Sequence, residues 1–446
     1  MFGAALHSLG AMRSSHWHAL PAADDRRRIQ GRRRSRGALA QRGQAMVLAL
    51  GLLILGAVSL RLLMESGQLI VARQRLVDTA DAAALSAATW RARVLNFHAY
   101  SNRAIIANEV AIAQAVTLVA WAGYFETLTR NSAAFAAYLP PVEPLLTAAA
   151  EAATLAAQAS HATAAIEVPA CGAPHVGYKA LLQSAQEVMH LSSLGFALNM
   201  VTAEVARASD PAHFAWVLPD PAQPWAGFTA RASEGPDRQR VADLVRASLD
   251  PFVGGARSED IHTPIPSFCL NLMRLRKRGV TTLSEDLDRW EAVDTLSFHL
   301  RRLSWFRCRE REALPLGWGA AEVGEALNMV TTTSGDLMLN PAARHLASEG
   351  MFSESSYEGI ARLRELNYEA LANTQFPLGR LAVIARREPS LVDHRMWAMS
   401  AAEVYFRRPP GAPLRAEYAS LFNPYWQARL AAPSLAERAL ALNQVR

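Results

Sequence analysis

Apolar residues do not alternate with polar ones where the folded chain begins; they run without interruption. From Ala45 to Leu60 sixteen consecutive residues carry no charge, and the run reaches Met64 with Arg61 as the one exception. Twenty helical residues rise about 30 Å, the thickness of a bilayer's hydrocarbon core. The pattern therefore predicts a transmembrane helix over residues 44–64. Arg61 falls within a turn of its end, where a long side chain reaches the headgroups, with Glu65 four residues on as a partner. A cleaved secretory signal would have a shorter apolar region and a small-residue cleavage site. Here helical character continues through "RLLMESGQLIVARQRL" instead, which predicts a retained anchor.

Beyond residue 65 the pattern changes to a helical period. Leu69, Leu76, Ala80, Ala83, Ala84 and Ala87 recur at spacings of three, four and seven, giving a narrow face of small residues suited to close packing. Ala80, Ala83, Ala84 and Ala87 are thus a candidate helix-packing face, either a seam between chains or the edge of an internal bundle. Asn102 to Leu139 carries a second, wider apolar pattern. Gln44 to Leu139 contains no proline, yet one rod of that length would extend about 140 Å. A break near Asn96 to Ser101 is the expectation. The stretch Ala104 to Val119 is apolar enough to suggest a second span, but Glu109, Asn108 and Gln114 within it argue for a protein core.

Residues 142–167 and 175–208 read as two more amphipathic helices. Five prolines between Asp210 and Pro236 mark a boundary. Strand signals follow: "WEAVDTLSFHLRR", then "RLAVIARRE" and "MWAMSAAEVYFRRP" joined as a hairpin, with "YASLFNPYWQARLAAP" as an aromatic clasp on the sheet. The predicted class is α+β: a transmembrane helix continuing into a long helical region, then a C-terminal antiparallel sheet body with helices. The units would be a disordered basic arm 1–43, the membrane helix 44–64, a helical stalk or bundle 65–209, a Pro-rich linker 210–236 and an α+β domain 237–446. The hexapeptide Ala-Leu-Asn-Met-Val-Thr occurs twice, at 197–202 and 326–331, and reads as a coincidence between two helices of similar face.

Charge fixes the expected orientation. The net +6 resolves into +7 over residues 1–43, from nine arginines against Asp24 and Asp25, leaving −1 for the rest. A nucleic-acid surface would group its basic residues on a folded face with polar or aromatic readers, so no nucleic-acid partner is expected. Basic residues directly before a span hold that side in the cytoplasm, which predicts a cytoplasmic arm and a body outside. Only Lys179 and Lys277 are lysines, so arginine is a chain-wide preference. Of the three cysteines, none lies at a metal-ligand spacing, and no zinc is expected. Outside the cytoplasm Cys269 and Cys308 form the favoured disulfide pair, with Cys171 left over; the alternative is three buried thiols.

Sequence motifs for chemistry are missing. There is no G-x-S-x-G, H-E-x-x-H, C-x-x-C, phosphate-binding loop or G-x-G-x-x-G. Glu285, Asp286 and Asp288 lie close enough to pair as acid and nucleophile, but a charged solvated turn is the simpler reading. No cofactor, metal or catalytic residue is predicted.

The segment "RGQAMVLALGLLILGAVSLRLLMESGQLIVARQRLVDTADAAALSAA", Arg42 to Ala88, resembles the N-terminus of TadE/TadG-like proteins of Flp (tight adherence, type IVb) pilus assembly. There an Arg-Gly-Gln-like tripeptide opens the membrane helix, and a run like Ala72 to Ala88 follows it. Pilins of this class place Glu five residues after the processed glycine, whereas here Gly43 is followed by Leu48 at that position. The resemblance therefore implies an unprocessed, anchored accessory protein. The D-x-S-x-S metal site that TadG-like proteins often carry has no counterpart in this sequence. What the resemblance implies is an inner-membrane, single-pass structural protein with its bulk in the periplasm, partnered by the membrane and by other assembly proteins or itself. The alternatives are an exported membrane-anchored enzyme and a periplasmic ligand-binding protein.

Overall fold

A computed structural model of the chain describes residues 41–136, 143–219, 225–231, 235–262, 273–304, 307–325, 329–331, 337–367, 379–388, 396–408 and 418–445. The protein is α+β, and its contacts divide it into Met1–Leu69 and Ile70–Arg446. The basic arm expected at 1–43 lies almost wholly outside the described residues. Helix α1, Gln41–Ala136, contributes to both units. In the first unit its large apolar side chains from Met46 to Met64 are all 53–78% exposed. In the second unit the same helix is the central core element.

Three sheets and several helices build the second unit. Helices α2 (Glu143–Ser192) and α3 (Gly195–Ser209) precede β1 (His213–Val217) and β2 (Thr229–Arg231). Next come α4 (Pro236–Ser248), the single turn α5 (Pro251–Gly254), β3 (Glu259–His262), β4 (Met273–Leu283), β5 (Arg289–Ser304) and β6 (Arg307–Gly324). The chain continues through α6 (Pro341–Glu349), β7 (Phe352–Glu354), β8 (Arg364–Leu366), β9 (Leu381–Arg387), β10 (Trp397–Phe406), β11 (Trp426–Ala431) and α7 (Leu435–Val445). The sheet orders are β1-β9-β10-β11, β2-β8 and β3-β4-β5-β6-β7. Pairing is antiparallel except between β6 and β7.

Successive turns of α1 serve successive sheets. Residues from Leu76 to Leu95 pack with α3 against the four-stranded sheet, while Ile105 to Ala120 pack against α4 and the five-stranded sheet. The approach to β6 is backbone to backbone: a Cβ on Gly319 would lie 2.2 Å from the Ala120 carbonyl oxygen. Side chains of α1 also occupy the free edge of β6 there. Trp318 N donates to Thr127 Oγ1 at 2.7 Å, and Asn131 Nδ2 donates to the Leu316 carbonyl at 2.8 Å. An edge strand is thereby closed by a helix rather than by another strand.

Several local expectations need correction. Helix α1 does not break near Asn96 to Ser101, because the polar residues there bond across the fold instead of capping helix ends. The predicted second helix beginning at Asn102 is thus the continuation of α1. The break expected between residues 167 and 175 falls instead at Ser193 and Leu194, between α2 and α3. Within the stretch 210–236, read as a linker, β1 pairs with β9 and β2 pairs with β8. Of the repeated hexapeptide, the first copy lies in α3. In the second, 326–328 lie outside the described residues and Met329 to Thr331 are not helical, so the copies do not share a conformation. The strands read from "WEAVDTLSFHLRR", "RLAVIARRE" and "MWAMSAAEVYFRRP" correspond to β5, β9 and β10, the last two forming the expected hairpin.

Candidate functional site

The outermost feature of the first unit is its apolar surface. An 18-residue window of α1 reaches a mean hydropathy of 2.4 with none of it buried, and it is the one helix among the described residues long and apolar enough to cross a membrane. Arg61 Nε donates to Glu65 Oε1 at 2.9 Å, both groups exposed. Sixteen residues of continuous apolar surface, Ala45 to Leu60, facing water would be unstable in a soluble protein, which points to a different surrounding medium.

The predicted packing face has its partner within the same chain. Ala80, Ala83, Ala84 and Ala87 are buried in a core with Ala215 on β1, Val383 and Ala385 on β9, and Ala398 and Ala402 on β10. Alanines on the helix face alanines on the sheet, so the two backbones approach closely and gain dispersion contacts.

Polar groups punctuate this core at three levels. At the first, Asn96 makes a two-way bond with the Trp426 backbone, 3.0 Å in each direction, where β11 begins. Nearly two turns on, Asn102 Nδ2 donates to the carbonyls of Arg364 (2.7 Å) and Leu421 (2.9 Å), and its Oδ1 accepts from Gln186 Nε2 at 2.9 Å. Gln186 Nε2 also donates to Ser101 Oγ at 2.7 Å. His98 is fully buried beside this network, 6.4 Å ring to ring from His190, and neither of its ring nitrogens has a partner among the described residues. Burial, reinforced by Arg364, His190 and Arg231, lowers its pKa to about 3. His98 is therefore a neutral imidazole at physiological pH.

Glu109 forms the second level. Its carboxylate is completely buried and accepts from Tyr357 Oη (2.8 Å), the Ala361 backbone N–H (3.1 Å) and Lys179 Nζ (3.5 Å). Lys179 Nζ also donates to the Gly359 carbonyl at 2.8 Å and lies 4.9 Å from the Tyr357 ring centre. Burial raises the Glu109 pKa against the opposing pull of Lys179, Tyr357 and Ala361. Burial and the neighbouring carboxylate push Tyr357 up as well. One side chain thus joins α1, α2 and the segment after β7.

The third level centres on Asp294, fully buried on β5. Arg257 grips it bidentately, Nε to Oδ1 at 3.1 Å and Nη2 to Oδ2 at 2.9 Å, while Lys277 bonds the same carboxylate and sits 3.9 Å over the Tyr124 ring of α1. Lys277 is lowered by burial, with Asp294 opposing. Tyr124 is raised to about 12 by burial, then by Asp294 and Glu259. Both lysines of an arginine-rich chain therefore meet fully buried carboxylates. Their rarity and the isolation of Glu109 in an apolar helix were the available sequence signals; the pairing partners, 70 and 17 residues away, were not readable.

A cleft of about 500 Å³ opens between β4, β5, β6 and α6, lined by charged groups including Arg276, His299, Glu310 and Glu312. These groups are engaged with one another or with the backbone. Arg276 pairs with Glu310 at 2.5 Å, His299 Nε2 meets Asn340 Oδ1 at 2.8 Å, and Glu312 accepts from Ala342 N (2.6 Å) and Ala343 N (3.0 Å) at the start of α6. Glu285, Asp286 and Asp288 are exposed in the turn between β4 and β5, with Asp288 paired to Arg238. Among the described residues no group of three His, Cys, Asp or Glu side chains is arranged to hold a metal. Cys308 is disulfide-bonded; Cys269 and the Cys171 side chain lie outside the described part of the molecule. No protein-family model, curated protein or solved structure matches the chain.

Proposed function

We propose that this chain is a single-pass, membrane-anchored structural component of an envelope assembly of the TadE/TadG-like pilus type, with its arginine-rich arm in the cytoplasm and residues 70–446 outside. The observation that carries the reading is the wholly exposed apolar stretch of α1 from Met46 to Met64, preceded by nine arginines. Support for a structural role comes from the way buried polar groups are spent on holding three sheets to one helix. The oxidised Cys308 accords with an oxidising compartment.

Two experiments test it. A reporter active only outside the cytoplasm, fused after Arg446, is expected to be active, and one active only inside is expected to be silent; the reverse result overturns the orientation. Coexpression with a prepilin peptidase is expected to leave the mass unchanged, because Leu48 replaces the pilin glutamate. A loss of about 43 residues, counted to Gly43, would instead make the chain a filament subunit.

A further inference from the structure

We infer that one end of the compact unit rests on the headgroup layer of a phospholipid bilayer through a groove between α1 and β10. This rests on the membrane-span reading above.

The groove exists because β10 outruns its neighbour. Strand β11 pairs only with Ala401 to Phe406, so Trp397 to Ser400 have β9 on one side and, among the described residues, no strand on the other. The resulting cavity of about 380 Å³ is lined by Arg73 and Val77 of α1 and by Met396 to Met399. On the adjoining sheet face the register sets Phe214, Arg386 and Trp397 side by side across β1, β9 and β10. The next row, Trp216, Ile384 and Met399, is packed under α7, and the half-buried Trp397 touches the same cluster with one side. Phe214 remains 46% exposed.

Chemistry and position select the occupant. Tryptophan, phenylalanine and arginine are the side chains of membrane interfaces, where a ring meets glycerol and upper acyl carbons while a guanidinium meets phosphate. Arg73 and Arg75 are exposed on α1, and register sets Arg386 between Phe214 and Trp397. The nearby acids are partly engaged: Asp78 accepts from Gln74 at 2.9 Å and Asp210 lies 3.9 Å from His213, which register sets opposite Arg387, while Glu388 is exposed. Arg73 follows Met64 by nine residues. Nine helical residues rise about 14 Å, and even a fully extended chain of that length spans only about 32 Å. The groove is therefore tethered within reach of the interface whatever the path between, which a soluble partner protein would not require.

The test uses the full chain reconstituted in vesicles of phosphatidylethanolamine and phosphatidylglycerol, with photoreactive phospholipids carrying the probe in the headgroup or deep in the acyl chain, and adducts mapped by mass spectrometry. Headgroup adducts are expected on peptides containing Arg73–Val77 and Met396–Met399, and acyl adducts on residues 45–64. Acyl adducts on 45–64 without headgroup adducts on the groove overturn this inference alone; absence of both overturns the membrane span itself. Arg73→Glu with Arg75→Glu alters only exposed positions. Each arginine near an anionic surface is worth about 1 kcal/mol, about a fivefold change in occupancy, so groove adducts should fall at least fivefold while the 45–64 adducts persist. Unchanged groove adducts in that variant refute the role given to the arginines. Groove peptides that remain unlabelled in vesicles but become shielded in native membranes would show a protein occupant in place of lipid.

Discussion

Helix α1 holds two apolar-faced regions of opposite architecture. Residues 45–64 are apolar on every side and bury nothing, whereas residues 76–124 carry small and polar residues and are buried almost throughout one face. Size and polarity separate the two. The first region is rich in Leu, which a lipid surrounding accepts in any orientation. The second uses Ala80, Ala83, Ala84 and Ala87 to let strands approach, and Asn96, Asn102 and Glu109 to bond specific carbonyls and amides. Hydrophobicity places a helix in an apolar medium; small and polar side chains specify which protein surface supplies that medium.

Breaking the Glu109 node should have the largest effect. Lys179→Met leaves a buried carboxylate without its cation, expected to destabilise by about 3–5 kcal/mol, whereas Glu109→Leu combined with Lys179→Met should recover most of the loss. Chemical denaturation of the detergent-solubilised chain measures both. Removing the exposed Arg61 to Glu65 pair should leave the midpoint where it is. If Lys179→Met is equally silent, the node is not a structural tie.

Size changes come next. Ala83→Leu and Ala87→Leu should each cost about 1–3 kcal/mol by overpacking, and Gly319→Ala should fall at the upper end, since its Cβ would meet backbone atoms of α1. Ala57→Leu and Gly56→Ala, in the exposed region with open space around Gly56, should not lower the thermal midpoint. Equal costs in both regions would erase the distinction drawn between them.

Titration gives the most diagnostic effect, and per pH unit it is small. The folded pKa of His98, about 3, lies below its ordinary 6.5. The unfolded chain therefore binds a proton first, and stability should fall as pH drops from 6.5 toward 3, by at most about 1.4 kcal/mol per pH unit. Glu109 acts in the opposite sense: its raised pKa gives a stabilisation present below its ordinary value of 4.5 and lost as pH rises through the folded value. His98→Leu should flatten the first slope and Glu109→Gln the second, read from thermal midpoints across pH 4–7.

Period and composition made the individual elements legible. The strands β5, β9 and β10 and the α+β class follow from apolar spacing, as does the helical character of α1 on either side of Asn96 to Ser101, though not its continuity. The expectation of a break near Asn96 to Ser101 rests on the length of an unbroken rod, about 140 Å, and what supports the rod, such as the strand start at Trp426 that Asn96 bonds, lies 330 residues away. Strand β1 was hidden in a proline-rich stretch since its five residues gain order from pairing with β9, a partner far along the chain. For the candidate site, the alanine face was readable as a packing surface, but its occupant was not: small side chains advertise a close approach without naming what approaches.

The bond between Asn96 and Trp426 also has a meaning for synthesis. A ribosome adding about 5–20 residues per second needs between about a quarter of a minute and a minute to make the chain that separates them. For most of that interval the alanine face, His98 and Glu109 have been made while β9, β10 and β11, which cover or bond much of that surface, have not. A nascent chain in this condition presents a half-finished core beside a wholly exposed apolar helix segment, so a holding chaperone or rapid sequestration of that segment must keep the two apolar surfaces from meeting the wrong partner. Stop codons between residues 110 and 381 would leave it permanently in that state, a natural substrate for proteases.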